Sequence, residues 1–316
     1  MDASYKRPSV VVIGGPTATG KTRLSVSMAK TFGGEIINAD SMQIYTGLSI
    51  GTAKATEEER QGVPHHLLDF LSPECAYSVA DFVSDASRCI QQICKAGHLP
   101  FVVGGTGLYI SSLLNGVSFA SEPAVPEVRQ RLQETAARDG AEALYARLQT
   151  VDPAYAAKVH PNNLPRVIRA LELYETTGRK MSEQQRQSKP ETAPYRSLCL
   201  CLTCRDRAEL YRRIDQRVDL MVKSGVLQEA EWVWQHRDTC KTAAQAIGYK
   251  EFFPYLEGTQ TLDSCVGTLK QATRRYAKRQ LTWFRNQNDA VWLYVNEENI
   301  VQRAEKLIEE FLKGEG

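Results

Sequence analysis

A phosphate-binding pattern stands near the start of the 316-residue chain. It has the form G-x-x-x-x-G-K-T and consists of Gly15, Pro16, Thr17, Ala18, Thr19, Gly20, Lys21 and Thr22. Glycines let successive N–H groups turn around phosphate oxygens, the lysine adds a positive charge, and the threonine hydroxyl is a usual Mg²⁺ ligand. An apolar run at residues 10–13 precedes the pattern and a helical pattern follows it. The segment therefore predicts a bound di- or triphosphate with Mg²⁺ on Thr22, and it leaves the reaction open.

Two further polar residues, Asp40 and Thr106, follow predicted strands at residues 35–39 and 99–103. The ends of parallel strands meet at one edge of a sheet, where ligands bind, so we expect both residues beside the phosphate loop. Asp40 is interpreted as a general base, with turn capping as the alternative. Thr106 is interpreted as a hydroxyl donor to a phosphate or to the reacting group, with a plain turn residue as the alternative.

The usual metal-binding acid of nucleoside triphosphatases is missing from the expected strand end. Such enzymes normally place an acid after a further apolar strand to hold Mg²⁺. Here the strand at residues 99–103 runs into Gly104, Gly105 and Thr106 instead. This sequence disfavours ATP hydrolysis.

An arginine pair, Arg213 and Arg217, lies four residues apart on a predicted helix at residues 206–224, and hence on one face. Guanidinium groups on one face suit anionic oxygens. A solvated face on which Asp215 and Asp219 pair with these arginines is an equally open alternative.

A basic stretch with interleaved aromatic residues covers positions 270–285 of a predicted helix. Cations for phosphates and aromatic rings for stacked bases fit RNA better than duplex DNA. A charged outer face is the alternative. The residues concerned are Lys270, Arg274, Arg275, Lys278, Arg279 and Arg285, with Tyr276, Trp283 and Phe284 between them.

Composition excludes several classes of protein. The formal net charge is +2, so nucleic-acid binding must come from local patches. No stretch approaches the roughly 18 apolar residues of a membrane span, and no signal peptide is recognised, so we expect a cytoplasmic protein without a membrane partner. Eight cysteines are present, and the pair Cys201 and Cys204 lies in an apolar strand pattern, which favours burial over metal binding.

The order of the elements predicts an α/β fold, a P-loop NTPase-like parallel sheet core with an α-helical insertion domain. Residues 1–116 form the first part of the core, 117–195 the insertion, and 196–316 the rest of the core with C-terminal helices. Strands are predicted at 10–13, 35–39, 99–103, 197–203 and 290–295. Helices are predicted at 22–32, 77–95, 126–139, 141–150, 164–177, 206–224, 227–236, 262–286 and 300–313.

Taken together, these motifs resemble those of the tRNA dimethylallyltransferase family over about residues 10–285. The resemblance is carried by residues 15–22, 37–45, 51–54, 64–69, 103–109, 160–163, 166–172, 247–251 and 278–285. The chain shows no Cys/His zinc-finger extension of the kind found in eukaryotic members, so we expect a bacterial-type enzyme.

The resemblance implies transfer of a dimethylallyl group from dimethylallyl diphosphate to N6 of adenosine 37 in tRNA, with Mg²⁺ as cofactor and pyrophosphate as the leaving group. It implies that the phosphate loop and Arg217 hold the diphosphate. Asp40 would take the proton from N6, and Thr106 would lie near the transferred group.

The resemblance also implies a tRNA-binding surface, in which the helical insertion grips the anticodon stem-loop. We expect the enzyme to be a monomer. The implied contacts are Asp40, Ser41, Met42, Gln43, Arg129, Pro165, Arg166, Val167, Ile168, Arg169, Lys278, Arg279, Gln280, Trp283 and Arg285.

Three other functions share part of this sequence pattern. A prenyltransferase acting on free AMP, ADP or ATP would need the crevice but neither the insertion nor the basic helix. A P-loop small-molecule kinase would turn over ATP. A nucleotide-gated RNA-binding protein would be no enzyme and would tolerate loss of Asp40.

Overall fold

A computed structural model describes residues 7–118, 125–188, 190, 192–287 and 289–314. The chain divides into two compact units. The first comprises Met1–Leu114 and Ala193–Gly316, and the second is Asn115–Thr192. None of the helices described is both long and apolar enough to cross a bilayer.

The first unit is built on a sheet of six parallel strands in the order β3-β2-β4-β1-β5-β6. Parallel strands covered on both faces are continuous apolar runs, as β1 and β4 are here. The strands are β1 Ser9–Gly14, β2 Gly34–Asn38, β3 His65–His66, β4 Leu99–Val103, β5 Arg196–Thr203 and β6 Ala290–Tyr294.

Fourteen α-helices lie within the described residues, and two 3₁₀ turns occur at Ala243–Gln245 and Lys250–Phe252. In the first unit the helices before the insertion are α1 Lys21–Thr31, α2 Glu57–Arg60, α3 Val79–Lys95 and α4 Gly107–Leu114. The second unit contains α5 Pro126–Asp139, α6 Ala141–Val151, α7 Pro153–Ala156, α8 Leu164–Thr177 and α9 Met181–Gln187. The first unit resumes with α10 Arg207–Lys223, α11 Val226–Gln235, α12 Phe253–Leu256, α13 Leu262–Arg285 and α14 Ile300–Lys313.

Side chains that alternate along β1 fill two core layers. Val11 and Ile13 pack with α1 and α14 on one face of the sheet. Val10 and Val12 pack with α3, α4 and Phe284 of α13 on the other. Burial on both faces holds the carboxyl ends of the strands rigidly in place, which is what a loop-built site requires.

The second unit has a core of its own. Leu132 of α5, Leu144 and Leu148 of α6, and Val167 and Leu171 of α8 are almost completely buried against one another. Apolar residues at helical spacing therefore produce a helical bundle here.

The predicted parallel α/β fold is confirmed, and each of the long predicted helices and strands is present with bounds shifted by two residues or fewer. The sequence missed β3, α2, α4, α7, α9 and α12. β3 has two residues and α4 begins directly in a Gly-rich turn, so neither has a periodic pattern long enough to detect. Cys201 and Cys204 are buried, as predicted, and the described residues contain no group of three metal-ligating side chains.

Glycines at the ends of β1 and β4 allow α13 to approach the sheet. A Cβ atom on Gly14 would lie 2.3 Å from the Phe284 ring, and one on Gly105 would lie 2.1 Å from the Gln280 amide. Gly104 meets backbone instead, because its Cβ would lie 2.1 Å from the carbonyl oxygen of Ala39. The turn after β4 is therefore pressed against the end of β2.

Replacement of Gly104 by alanine should destabilise the protein by about 1–3 kcal/mol, because the Ala39 backbone has no room to give way. Gly267→Ala is a matched control, since Gly267 lies inside α13 and a Cβ atom there would meet nothing within 4 Å. That change should stabilise by about 0.5–1 kcal/mol. Unfolding in urea measures both, and equal effects of the two substitutions would contradict the packing described.

Candidate active site

The phosphate loop leaves β1 at Gly14 and enters α1 at Lys21. Gly15 has φ +131° and Gly20 has φ +79°, and residues with a side chain rarely adopt these backbone conformations. Ala18 at the turn has φ +64°, a left-handed conformation that is unfavourable for residues with a Cβ atom. The surrounding structure must hold such a loop in shape.

Lys21 lies at the centre of the loop. Its Nζ donates hydrogen bonds to the carbonyl oxygens of Gly15 at 3.1 Å and Pro16 at 2.8 Å. Burial and the charge of Arg217 lower the pKa of Lys21 to about 8, although Asp40 opposes the shift. An enclosed cation with a lowered pKa gains from the arrival of an anion.

Two arginines of α10 hold the loop from the side. Arg213 Nε donates to the Ala18 carbonyl oxygen at 2.8 Å, and Arg217 Nη1 donates to the Thr17 hydroxyl at 3.0 Å. Burial lowers the pKa of Arg217, while the charges of Asp40 and Glu59 oppose that shift. The arginine pair therefore faces the loop.

Asp215 and Asp219 do not pair with Arg213 and Arg217 as the alternative proposed; Arg213 has its ion pair with Glu209 instead, at 3.9 Å. Asp219 binds Lys270 at 2.6 Å and Asp215 binds Arg274, so both contact α13. Two charges of the basic stretch are thus used to join α10 and α13.

Gln280 of α13 joins the phosphate loop to the turn after β4. Its Oε1 accepts from the Thr17 N–H and its Nε2 donates to the Gly105 carbonyl oxygen, both at 3.0 Å. Gln280 is only 5% exposed. The RNA contact expected for it from the sequence stays a prediction, and the fold gives Gln280 a further role inside the site. The hydrogen bond to Gln280 also occupies the N–H of Thr17.

Asp40 lies just beyond β2. Its Oδ1 accepts from the Met42 N–H at 2.9 Å, so the capping alternative is present in the form of an Asx turn. Within the described chain no residue donates to Oδ2, which leaves one carboxylate oxygen for another partner. Capping and proton transfer can therefore be served by different oxygens of one carboxylate.

Thr106 supports the Asp40 turn. Its Oγ1 accepts from the Ser41 N–H at 3.1 Å, and its own N–H donates to the Ala39 carbonyl oxygen at 3.2 Å. The phenol of Tyr276 lies near the side chains of Thr106 and Gln280, which favour its charged form. Burial and the nearby charge of Asp40 raise the pKa of that phenol, so it stays protonated.

A cavity of about 850 Å³ brings the loop and Asp40 together. Thr17–Thr22, Asp40–Gln43, Arg217, Tyr276, Arg279 and Gln280 line it. Met221, Ile247 and Leu269 give part of the wall an apolar character. Gly104 lines the wall, and the Thr106 hydroxyl next to it is bonded to the Ser41 N–H of the Asp40 turn.

The segment after Asp40 is fixed by polar contacts that the sequence analysis did not predict. The carboxylate of Glu229 accepts from the N–H groups of Ser49, Ile50 and Gly51 at 2.8–3.0 Å. Gln43 Nε2 donates to the Thr52 and Ala53 carbonyl oxygens, both at 3.1 Å. No spacing rule connects α11 with this loop, so only the folded chain reveals the contact.

The outer face of α13 carries the remaining basic charge. A second cavity of about 560 Å³ is lined by Arg275, Lys278, Arg279, Thr282, Trp283 and Asn286. Arg279 lines both cavities, so the basic face borders the loop cavity. Lys278, Arg279 and Arg285 are exposed, whereas Trp283 is half-buried over Gly107.

The predicted RNA contacts of the second unit fall into two groups. Arg129 and Arg169 both bind Glu172, at 2.8 and 2.9 Å, with their side chains partly exposed. Val167 and Ile168 are buried in the core of this unit, so we remove their side chains from the proposed RNA contacts. Pro165 lies in the first turn of α8, and Arg166 after it is exposed.

The fold and the cavity define a P-loop protein with a cation-lined cavity at the carboxyl edge of its sheet. The family model described as IPP transferase matches residues 43–287, and that described as isopentenyl transferase matches residues 8–72. The tRNA dimethylallyltransferase of Bacillus subtilis is 50% identical over 287 residues, 91% of this chain and 90% of that protein.

Solved structures agree with these matches. The full-length tRNA isopentenylpyrophosphate transferase of Bacillus halodurans is 42% identical, with a TM-score of 0.73 and 98% of both chains covered. A eukaryotic dimethylallyltransferase described as acting on tRNA is 32% identical, with a TM-score of 0.85 over 98% of this chain and 80% of that one. The chain therefore belongs to the IPP transferase family, a family of enzymes, which confirms the resemblance found in the sequence.

Pyrophosphate binding should weaken as the pH rises above about 8. The charged ammonium of Lys21 favours the anion, and above its pKa the free protein must first take up a proton, which raises Kd by up to about tenfold per pH unit. Calorimetric titration between pH 6.5 and 9.5 measures this effect. The Lys21→Met variant shows how much of the pH dependence comes from ionisation of pyrophosphate itself. If Kd depended on pH in the same way for the wild type and this variant, the role of Lys21 would be contradicted.

Proposed function

We propose that this chain transfers a dimethylallyl group from dimethylallyl diphosphate to N6 of adenosine 37 in tRNA and releases pyrophosphate. The observation that carries the proposal is one cavity lined together by Lys21, Arg217 and Asp40, so that cations suited to a diphosphate and a carboxylate suited to a proton face the same space. The names of its relatives, tRNA dimethylallyltransferases, support the same reaction.

The chemistry has two requirements. A bond forms between N6 and C1 of the dimethylallyl group, and the bond from C1 to the bridging oxygen breaks, so its electron pair leaves with pyrophosphate. The N6 proton must go to a base. The adenine amine is a weak nucleophile, whereas the allylic carbon is a good electrophile, so neutralising the leaving group and accepting the proton are the tasks left to the protein.

The donor side of the cavity suits the diphosphate. Lys21 and Arg217 supply two positive charges, and Arg213 and Gln280 fix the loop before the ligand arrives. Preorganised charge acts without reorganisation at the moment of reaction. The apolar side chains of Met221, Ile247 and Leu269 provide surface for the hydrocarbon part of the donor.

The acceptor side is built around Asp40. We assign the proton transfer to Oδ2, because Oδ1 is held by the Met42 N–H. Thr106 acts through the Ser41 N–H, which fixes the backbone next to Asp40. We therefore propose Asp40 as the catalytic base and Thr106 as a positioning residue.

Mg²⁺ suits this site as an ion coordinated by protein and substrate together. No cluster of three acidic, histidine or cysteine ligands occurs in the described part of the chain, and Mg²⁺ commonly binds through one or two protein oxygens plus phosphates and water. The hydroxyl of Thr22 would hold it from the loop. Bound there, the ion would neutralise charge on the diphosphate.

Transfer RNA is the proposed acceptor because exposed cations continue from the cavity along α13. Lys278, Arg279 and Arg285 offer phosphate contacts, and Trp283 lies among them. An adenine in the anticodon loop can be flipped into a pocket at low cost, since it is not paired. The helical unit, with Arg129, Arg166 and Arg169, supplies further cations for the anticodon stem.

One assay separates this function from its rivals. Labelled dimethylallyl diphosphate is supplied in three separate reactions. The first contains an anticodon stem-loop with adenosines 36–38, the second contains AMP, and the third contains ATP without either acceptor. We expect label in the stem-loop alone. Label in AMP but not in RNA would establish a free-nucleotide prenyltransferase, and phosphate transfer from ATP would establish a kinase.

Asp40→Asn should lower turnover by about 10²–10⁴-fold, because the amide accepts no proton while the shape of the turn is kept. Binding of the stem-loop should remain normal. Ser41→Ala is the matched control, since it leaves the Ser41 N–H that Thr106 holds. Single-turnover rates at saturating donor measure the effect, and normal turnover by Asp40→Asn would remove Asp40 from the mechanism.

A further inference from the structure

Two glutamates of α8 in the helical unit each hold two arginines. Glu172 Oε2 accepts from Arg129 of α5 at 2.8 Å and from Arg169 of α8 at 2.9 Å. Three residues further along α8, Glu175 binds Arg131 of α5 and, at 2.7 Å, Arg147 of α6. The same arrangement is thus built twice on neighbouring turns, and we call these six residues the arginine clusters.

Burial is divided unequally within the arginine clusters. The side chain of Glu172 is 1% exposed and that of Glu175 is 11% exposed. The arginine side chains are 38–64% exposed. The carboxylates therefore lie beneath the guanidinium groups, which present their remaining N–H donors to the surface.

Stability alone is a poor reason for this arrangement. Buried carboxylates lose hydration, and apolar residues of similar volume commonly stabilise a core as well or better. Glu172 Oε1 is buried and has no hydrogen-bond partner among the described residues, which adds a further cost. Burial disfavours the charge of Glu172, but hydrogen bonds from Arg129 and Arg169 outweigh it and hold its pKa below the ordinary value.

Charge identifies the kind of ligand. Four guanidinium groups and two carboxylates leave the arginine clusters with an excess of two positive charges. Guanidinium forks match phosphate oxygens in a bidentate manner, and a fork already fixed by a carboxylate loses less side-chain entropy on binding. Paired cations on adjacent turns suit successive phosphates of one strand.

We infer that the arginine clusters bind the phosphate backbone of an RNA strand, and that Glu172 and Glu175 are positioning residues that fix the guanidinium groups for it. Arg131 and Arg147 become RNA contacts that sequence analysis did not identify. The inference rests on the proposed function in so far as it takes RNA to be the substrate.

Glu172→Gln gives the sharpest test, because it removes a negative charge from a surface that binds a polyanion. Charge alone predicts tighter binding of the stem-loop, whereas loss of positioning predicts that Kd rises by about tenfold, as two arginines lose their fixed orientation. Turnover at saturating RNA should be unchanged. The matched control Glu142→Gln alters an exposed glutamate of α6 and should leave Kd the same or slightly lower.

A purely structural role has a different signature. It would lower the melting temperature of Glu172→Gln while Kd, measured well below that temperature, stayed at the wild-type value, and this result would overturn the inference. Arg131→Gln with Arg147→Gln gives a second test on exposed side chains, and its melting temperature is measured beside Kd because Glu175 loses both of its partners. The slope of log Kd against log salt should fall by about 1–2 in this double variant, and an unchanged slope would also overturn the inference.

Failure of the proposed function would look different. In that case the wild-type protein would neither bind nor modify the stem-loop at any salt concentration. Normal modification by the wild type, with no change in Kd for either set of variants, would refute the arginine clusters alone.

Discussion

The amide of Gln280 forms hydrogen bonds both to the phosphate loop and to the turn after β4. Its oxygen fixes the phosphate loop through the Thr17 N–H, and its nitrogen fixes the turn after β4 through the Gly105 carbonyl. The bridge is possible only because glycines let α13 lie directly on the strand ends, where any Cβ atom would meet Gln280 or Phe284. The long helix thus holds the loop through Gln280, lines the cavity beside Asp40 with Tyr276, and carries the basic outer face, all within a few residues.

Charge is distributed according to the two tasks of the proposed reaction. Cations gather on the loop side, where Lys21 and Arg217 are enclosed and their pKa values lowered. Asp40, which lines the same cavity, keeps one carboxylate oxygen free of the described side chains and backbone. This arrangement explains how a loop typical of nucleotide enzymes can serve as the holder of a leaving group, because the group proposed to receive the proton lines the same cavity.

The sequence predicted what depends on local pattern. The G-x-x-x-x-G-K-T segment, the apolar strands and the long amphipathic helices are encoded within short windows, so the sheet and the positions of Lys21 and Asp40 followed from them. Gln280, Glu229 and Glu172 act through partners that lie distant in sequence or on another helix, and no periodicity indicates those partners.

Val167 and Ile168 were assigned to RNA because they belong to a family motif, but a motif does not distinguish surface from core. The arginine pair of α10 was ambiguous for the same reason, since only the fold shows that Asp215 and Asp219 turn towards α13.

The central claim is that the phosphate loop holds a leaving group, so that the bond broken is the one between carbon and oxygen. The most direct measurement uses dimethylallyl diphosphate labelled with oxygen-18 at the oxygen that bridges C1 to phosphorus, reacted with the anticodon stem-loop. Mass spectrometry of the released pyrophosphate should find the label there, together with an unlabelled dimethylallyl group on N6 of adenosine 37. Pyrophosphate or phosphate without oxygen-18, with the label kept on the dimethylallyl fragment, would show cleavage at phosphorus and contradict the account.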